Sequence, residues 1–249
     1  MRAFFFLCWA WAGLCLAANP TPPLTATPAE TQPLPPIRIF FGHNSVGDNM
    51  LEGLQRALPT LRIVRSKDAS SLVQPGLAHF STDNNANPSQ KIAVFEQWMN
   101  AGLAKVANLA FNKFCYMDFN AQTDVPALFK TYRASMQRLA AAYPKVQWLH
   151  VTVPLKGSWD VHGNKKREQF NQLLRETYGA KVFDLAKLES TRPNNSIERT
   201  PQGAPALVKA YSDDDGHLNL LGQQRVSQAF IPFLAEWAPP PAPPSPPKN

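Results

Sequence analysis

A serine follows the first apolar run of the chain, in GHNSVG at residues 42–47, and a histidine follows three aspartates near the other end, in SDDDGH at residues 212–217. A serine hydroxyl is a poor nucleophile until a base removes its proton and a third group holds that base in place. Asp214 precedes His217 by three residues, so its carboxylate can turn back onto the imidazole in a tight loop. We therefore predict a catalytic triad of Ser45, Asp214 and His217, in a chain order known from serine hydrolases.

Each of these residues also has a structural interpretation. Ser45 could cap a helix, the aspartates could form a solvated turn, and His217 could cap the last helix. Asp213 and Asp215 remain alternatives to Asp214 as the partner of the histidine. The three residue types together, in the first and last loops of one sheet, favour catalysis over separate structural roles.

Two glycines, Gly42 and Gly47, flank the serine in this loop. Glycine tolerates backbone conformations that other residues avoid. We therefore expect the two glycines to let the chain turn sharply, so that Ser45 stands at the sheet edge and faces His217.

Five short segments rich in apolar, β-branched or aromatic residues are predicted to be β-strands. They are Ile37–Phe41, Leu61–Val64, Val106–Cys115, Val146–Val153 and Lys181–Leu185. Most of them are apolar runs without strict alternation, which is the pattern of strands covered on both faces.

Segments with a single apolar stripe at helical spacing separate these strands. The stripes are Leu128, Tyr132, Met136 and Leu139, then Phe170, Leu173, Leu174 and Tyr178, and finally Val226, Phe230, Phe233 and Leu234 in a last helix from about Leu220 to Trp237. This alternation predicts an α/β fold with a parallel sheet between helices. The working loops of such a sheet lie at the carboxyl ends of its strands, and Ser45 follows the first strand.

The blocks FGHNSVGDN (41–49) and DDGHLNLLG (214–222) resemble the motifs of the SGNH/GDSL hydrolase family. In that family the nucleophilic serine follows the first strand, and a D-x-x-H motif precedes the last helix. The first block departs from the usual G-D-S, because His43 and Asn44 stand before Ser45. The resemblance implies a three-layer α/β/α sandwich with a five-stranded parallel sheet of flavodoxin-like topology.

Carried over to this chain, the resemblance makes Ser45 the nucleophile, His217 the general base and Asp214 its partner. It implies no cofactor. Such a protein would cleave carboxylic esters through an acyl-enzyme, and small acyl esters or acetylated glycans are the expected substrates. The alternative is a weakly active or inactive glycan- or envelope-binding domain on the same fold. A scaffold protein that binds through its Pro-rich ends is a further alternative.

The resemblance also indicates where an oxyanion hole would lie. The backbone N–H of Ser45 is one donor, and two further sequence blocks of the family supply the others. In place of the usual glycine of the second block the chain has Asn84, Asn85 and Asn87. We favour Asn85 there, and expect Asp118 or Asn120 in the third block, where the usual G-x-N-D is absent.

Other reactive residues carry weaker signals. Cys115 closes an apolar strand, so we expect a buried thiol rather than a nucleophile. The histidines other than His217 show no H-E-x-x-H or comparable spacing, so no metal site is predicted. They are His43, His79, His150 and His162. Trp159 and His162 follow the fourth strand, and we expect them to line a substrate groove.

The ends of the chain differ in composition from the block between them. An apolar run after Arg2 predicts a signal peptide over 1–18, which is shorter than the roughly 20 apolar residues of a membrane span. Pro-rich segments predict a linker over 19–36 and a tail over 238–249, on either side of one hydrolase domain over 37–237. We expect an exported protein, in the bacterial periplasm or outside the cell, with no membrane span after signal removal.

The 249 residues carry a formal net charge of +7, but the basic residues are scattered. Nucleic-acid binding would require a basic stripe interleaved with aromatic residues, so no nucleic-acid partner is expected. Only one cysteine remains after the predicted signal peptide, so the mature chain can form no internal disulfide. We expect a monomer.

Overall fold

The computed structural model describes residues 34–82 and 84–239. In this part of the chain no helix is long and apolar enough to cross a membrane. The predicted signal peptide (1–18), and most of the predicted linker (19–36) and tail (238–249), lie outside the described residues.

The described chain forms short β-strands that alternate with helices. The strands are β1 (Arg38–His43), β2 (Ile63–Arg65), β3 (Gly76–Ser81), β4 (Leu109–Asn112), β5 (Gln147–Trp148), β6 (His150–Val151) and β7 (Val182–Phe183). The α-helices are α1 (Val46–Ala57), α2 (Pro88–Trp98), α3 (Ala104–Val106), α4 (Val125–Ala142), α5 (Val161–Tyr178), α6 (Leu185–Ser190) and α7 (Leu220–Glu236). A π-helical turn (Met99–Leu103) links α2 to α3, and four 3-10 turns occupy Ala69–Leu72, Tyr116–Asp118, Gly179–Lys181 and Lys209–Tyr211.

β1 is the central strand of the sheet. It pairs in parallel with β3 on one side and with β4 on the other. β2 continues the sheet beyond β3, and β5 continues it beyond β4, so the five-stranded parallel sheet has the order β2-β3-β1-β4-β5. The prediction of a five-stranded parallel sheet flanked by helices is confirmed.

The sequence analysis missed β3, which pairs with β1 over its full length. This strand, GLAHFS, begins at a glycine and carries His79 and Ser81 toward its end, so its apolar signal is short. The predicted strands other than β1 are shorter in the structure. Val106 ends α3 instead of beginning a strand, and Leu185 begins α6 instead of ending one.

Beyond β4 the strands are very short, because β5, β6 and β7 have two residues each. Leu149 donates a hydrogen bond to the Ala110 carbonyl at 3.0 Å, and the next two residues, β6, pair in parallel with β7. β5 and β6 thus act as one strand that changes partner at its middle. With the edge strand β2 set aside, the order is β3-β1-β4-β5/β6-β7, the flavodoxin-like arrangement.

Helices cover both faces of the sheet, which confirms the predicted three-layer sandwich. Ile39 and Phe41 of β1 belong to a buried cluster with apolar residues of α1, α6 and α7. Phe40, which points to the opposite face, belongs to a second cluster with residues of α2, α4 and α5. Alternate residues of one strand therefore enter different cores, and the predicted apolar stripes of α4, α5 and α7 provide part of their packing.

His150, in β6, is a buried titratable group that contacts Tyr132 of α4 and Tyr178 of α5. Its Nδ1 lies 2.7 Å from the Tyr132 hydroxyl, and its ring stacks on Tyr178. Burial, with a smaller contribution from the charge of Lys181, lowers the pKa of His150 from 6.5 to about 3. The unfolded chain therefore binds a proton here at a higher pH than the folded chain does, and folding stability is lost as the pH falls below 6.5 toward the folded pKa.

We expect the free energy of unfolding to fall by roughly 2–3 kcal/mol between pH 7 and about pH 4.5 from this group alone. Urea unfolding of the wild type and of His150→Gln at both pH values measures the effect. The variant should be less stable at pH 7 but lose less stability on acidification. An equal loss in both proteins would show that His150 does not carry the effect.

Candidate active site

Ser45 lies between the end of β1 and the start of α1, at the carboxyl edge of the sheet. Its carbonyl accepts the first-turn hydrogen bond from the Asn49 N–H at 3.2 Å. Its side chain does not cap the helix, and among the described residues its hydroxyl makes no hydrogen bond. The side chain is therefore not occupied by the capping role that was its structural alternative.

The glycines beside Ser45 act differently from the prediction. Neither Gly42 nor Gly47 has a positive φ, so neither provides a left-handed turn. A Cβ on Gly42 would lie 2.7 Å from the Thr82 methyl group, and a Cβ on Gly47 would collide with the imidazole of His43. The two positions require glycine because their neighbours approach closely, and the prediction of a sharp glycine turn was wrong.

His217 precedes α7 and is paired with Asp214. Its Nδ1 lies 2.6 Å from Asp214 Oδ2, while Asp214 Oδ1 accepts hydrogen bonds from the backbone N–H groups of His217 at 2.7 Å and Gly216 at 3.0 Å. Burial alone would raise the pKa of Asp214, but the hydrogen bonds from His217 and Gly216 hold it well below its usual range. The ionised carboxylate therefore fixes the proton of the imidazole on Nδ1 and leaves Nε2 as an acceptor.

The neighbouring aspartates have other partners. Asp213 accepts a hydrogen bond from the Asn219 side chain at 3.1 Å. Asp215 accepts from the indole of Trp159 at 3.2 Å and forms an ion pair with Lys209 at 3.0 Å. Of the three adjacent carboxylates, Asp214 is the one that contacts the imidazole.

The loop that carries His217 is tied to the helix that begins at Ser45. The N–H of Leu218 donates to Asn49 Oδ1 at 3.1 Å, one turn after the serine. One turn further along α1, Glu52 accepts from the Gln223 side chain at 2.8 Å. These contacts bring residues separated by about 170 positions to one edge of the sheet.

Within the described residues Ser45 and His217 are not hydrogen-bonded to each other. The contact of His217 Nε2 is the hydroxyl of Tyr116, at 3.3 Å. Burial, with a smaller contribution from the Asp214 carboxylate, raises the pKa of Tyr116 to about 12, so this hydroxyl keeps its proton and donates a hydrogen bond to Nε2. Catalytic hydrogen bonds in unliganded sites are often long or incomplete.

Sequence reasoning missed Tyr116 as a member of this site. The buried guanidinium of Arg167 holds it, because Nε and Nη2 donate to the Tyr116 carbonyl at 3.0 and 2.9 Å. The same guanidinium pairs with Asp160 at 2.8 Å, next to Trp159. The available signal was an aromatic residue directly after an apolar strand, which is too common to single out.

The three side chains predicted for the oxyanion hole have structural partners. Asp118 is buried, forms an ion pair with the buried Lys91 at 2.8 Å and accepts from the Ala86 N–H at 2.9 Å. Lys91 also donates to Asn85 Oδ1 at 3.0 Å. Asn120 accepts from a backbone N–H within its own turn. An ionised carboxylate donates no hydrogen bond, so the Asp118 side chain cannot serve as an oxyanion donor.

An aromatic wall, formed by Tyr116 and Trp159, stands beside His217. Trp159 is 59% exposed, and the Lys156 ammonium lies 4.1 Å from its ring centre and 5.5 Å from that of Tyr116. The Asp215 carbonyl accepts from the Gly157 N–H at 2.9 Å, which fixes this loop against the histidine loop. His162, predicted to line the same groove, is exposed in the first turn of α5.

Cys115 is buried, as predicted. Its sulfur accepts a hydrogen bond from the Met117 N–H at 3.5 Å. A buried thiol that is hydrogen-bonded to the neighbouring backbone is inaccessible to an acyl substrate.

No protein-family model and no curated protein matches this chain. Among solved structures, a protein described provisionally as a platelet activating factor from Streptococcus pneumoniae matches with a TM-score of 0.51 at 16% identity, over 80% of this chain and 84% of that chain. A GDSL-like lipase from Bacteroides thetaiotaomicron matches with a TM-score of 0.51 at 15% identity, over 80% of this chain and 87% of that chain. The chain therefore has the SGNH/GDSL hydrolase fold.

Proposed function

We propose that this protein is an exported serine esterase, with Ser45 as nucleophile, His217 as general base and Asp214 as the partner of the histidine. The observation that carries the proposal is the 2.6 Å pair between His217 Nδ1 and Asp214, at the sheet edge where Ser45 begins α1. An imidazole that a carboxylate orients through Nδ1, with Nε2 as an acceptor, is what a serine hydroxyl needs to become a nucleophile.

In the first half of the reaction Ser45 Oγ attacks the acyl carbonyl, and His217 Nε2 takes the hydroxyl proton. Asp214 stabilises the imidazolium that forms. The imidazolium then gives its proton to the leaving alcohol oxygen, the ester bond breaks, and the acyl group remains on Ser45. Water attacks this acyl-enzyme with His217 as base again, which releases the carboxylic acid and returns the proton to Ser45.

The Ser45 hydroxyl must approach His217 Nε2 before attack, and the Tyr116 hydroxyl now contacts that nitrogen. Tyr116 is held through its backbone carbonyl by Arg167, so its side chain can turn without loss of that anchor. In the proposed resting state the phenol donates to Nε2, and substrate entry turns the phenol aside so that Nε2 can accept the proton of Ser45.

For the oxyanion hole, we propose the backbone N–H of Ser45 as one donor. The Asn85 amide nitrogen is the candidate for a second donor, because Lys91 engages only its oxygen atom. Each such donor is typically worth about 3–4 kcal/mol of transition-state stabilisation.

As substrates we propose acylated glycans. The exposed ring of Trp159 offers an apolar face for a sugar ring, and its hydrogen bond to Asp215 fixes that face two residues from His217. Lys156, beside the same ring, adds a positive charge for acidic sugars. The proposed export of the protein would place it among such polymers.

We expect Trp159→Ala to raise the KM for an acetylated oligosaccharide by roughly 10-fold, which corresponds to the loss of one aromatic contact. The kcat/KM for p-nitrophenyl acetate, which is too small to need the ring, should stay within about 2-fold. Steady-state kinetics of both substrates measure this. Val73→Ala is the control, since Val73 is 69% exposed on a different part of the surface. Equal effects on the two substrates would show that Trp159 does not bind sugar.

The alternative is a glycan-binding domain without catalysis, favoured by the lack of a Ser45–His217 hydrogen bond. The purified protein is incubated with p-nitrophenyl acetate and with an acetylated polysaccharide, and released nitrophenol and acetate are measured. Turnover well above the spontaneous rate supports the esterase. A folded protein that hydrolyses neither compound would contradict it, and retention on the polysaccharide without turnover would favour the binding domain.

A further inference from the structure

Two histidines and an aspartate converge beside the serine loop, at the ends of three separate elements. His43 ends β1, His79 lies in β3 and Asp48 lies in the first turn of α1. His43 Nε2 is 2.8 Å from His79 Nδ1 and 3.9 Å from Asp48 Oδ1. One ligand atom from each of the three lies within 4.8 Å of the others.

The hydrogen bond of His43 Nδ1, the ring nitrogen that faces away from His79 and Asp48, gives the ring a defined orientation. Its Nδ1 lies 3.3 Å from the Asn44 carbonyl oxygen, to which it donates, so the lone pair of Nε2 points toward His79 and Asp48. Metal-binding histidines typically donate their second ring nitrogen to a carbonyl or carboxylate in this way. Gly47 packs directly on the imidazole of His43 and supports the same orientation.

The three side chains differ in burial. His43 is buried, whereas His79 and Asp48 are each partly exposed. Lys113 and Arg65 are positive groups near the cluster. The Arg65 guanidinium lies 3.9 Å from the Asp48 carboxylate. Both side chains are exposed, so this ion pair is weak and a bound cation can displace it.

We propose that His43, His79 and Asp48 form a binding site for a divalent transition metal of the zinc class. Two imidazole nitrogens and one carboxylate, with a position left open, are a donor set that zinc accepts. Tetrahedral bonds of about 2.0–2.2 Å place ligand atoms about 3.4 Å apart, so the observed 2.8 and 3.9 Å each require an adjustment of about half an ångström.

Metal binding at this site needs no net loss of a proton from the histidines. In the metal-free state the proton of His79 is on Nδ1, which donates a hydrogen bond to His43 Nε2. With metal on Nδ1, that proton resides on His79 Nε2 instead, as the other neutral tautomer. The 44% exposed side chain of Asp48 gives the cation access from solvent, whereas His43 is fully buried.

Isothermal titration calorimetry of the full chain with Zn²⁺ tests this proposal independently of any esterase activity. We expect one site, with an affinity reduced by more than about 100-fold in His79→Ala and in Asp48→Asn, since loss of outer-sphere partners alone costs about 10–100-fold. His162→Ala, at an exposed histidine outside the cluster, should bind as the wild type does. Mg²⁺ should produce no comparable heat, because it prefers oxygen ligands.

The visible absorption of Co²⁺ bound at the same site gives a second readout. A tetrahedral site produces intense bands that Zn²⁺ abolishes, and Asp48→Asn should weaken them. Because Asp48 is partly exposed, this variant remains informative if His79→Ala fails to fold. Absence of Zn²⁺ binding, or binding that both cluster variants retain, would overturn the proposal.

Discussion

Replacing Ser45 with alanine is expected to reduce kcat for ester hydrolysis by a factor of about 10⁴ or more, because no other group in the proposed mechanism can form the acyl-enzyme. The free energy of unfolding should change by less than about 0.5 kcal/mol, since the hydroxyl makes no hydrogen bond among the described residues. Initial rates with p-nitrophenyl acetate, together with urea unfolding, measure the two effects.

Ser81→Ala is a matched control for this experiment. Ser81 ends β3, directly beside the end of β1, and its hydroxyl accepts a hydrogen bond from the Asn44 side chain at 3.4 Å. The variant removes a hydroxyl from the same sheet edge but from outside the proposed triad, so its kcat should stay within about 3-fold of the wild type. A Ser45→Ala protein that keeps more than a tenth of the wild-type rate would exclude Ser45 as the nucleophile.

Replacing Asp214 with asparagine is expected to lower kcat by about 10³–10⁴-fold. The asparagine oxygen can still accept from the backbone N–H groups of Gly216 and His217, so the loop should keep its shape. Its amide nitrogen, however, would face His217 Nδ1 as a donor and favour the tautomer that carries the proton on Nε2. That nitrogen could then no longer act as the base.

The adjacent aspartate provides the control for this variant. Asp213→Asn makes the same chemical change one residue earlier, where the carboxylate contacts Asn219 rather than the imidazole. Its kcat should remain within about 3-fold of the wild type. Comparable losses in Asp213→Asn and Asp214→Asn, measured on the same ester, would show that the whole loop matters and not the orientation of His217 by Asp214.

The α/β sandwich could be predicted because apolar runs and helical stripes recur in regular alternation. The stripe from Leu128 to Leu139 is buried as predicted, because residues at this spacing lie on one face of α4. β3 could not be predicted, because its polar end residues look like a loop until β1 is placed beside it. The change of partner at Leu149 depends on two neighbouring strands and leaves no local signal.

For the site, local spacing was informative where both partners lie in one loop. Asp214 and His217 are three residues apart, and the choice among three aspartates needed only the geometry of that loop. Contacts between distant elements were not predictable. Tyr116 reaches His217 across 101 residues, and the ion pair that occupies Asp118 comes from Lys91 in another helix. The approach of His79 to His43 across 36 residues is a further case.

The most direct test of the proposed mechanism is to treat the purified protein with a fluorophosphonate probe and locate the label by mass spectrometry. Such a probe reacts with a serine that a base has activated. We predict label on Ser45 in the wild type, strongly reduced label in His217→Ala and no label at that peptide in Ser45→Ala. Folded wild-type protein that remains unlabelled, or a label that does not depend on His217, would contradict the assignment of Ser45 as an activated nucleophile.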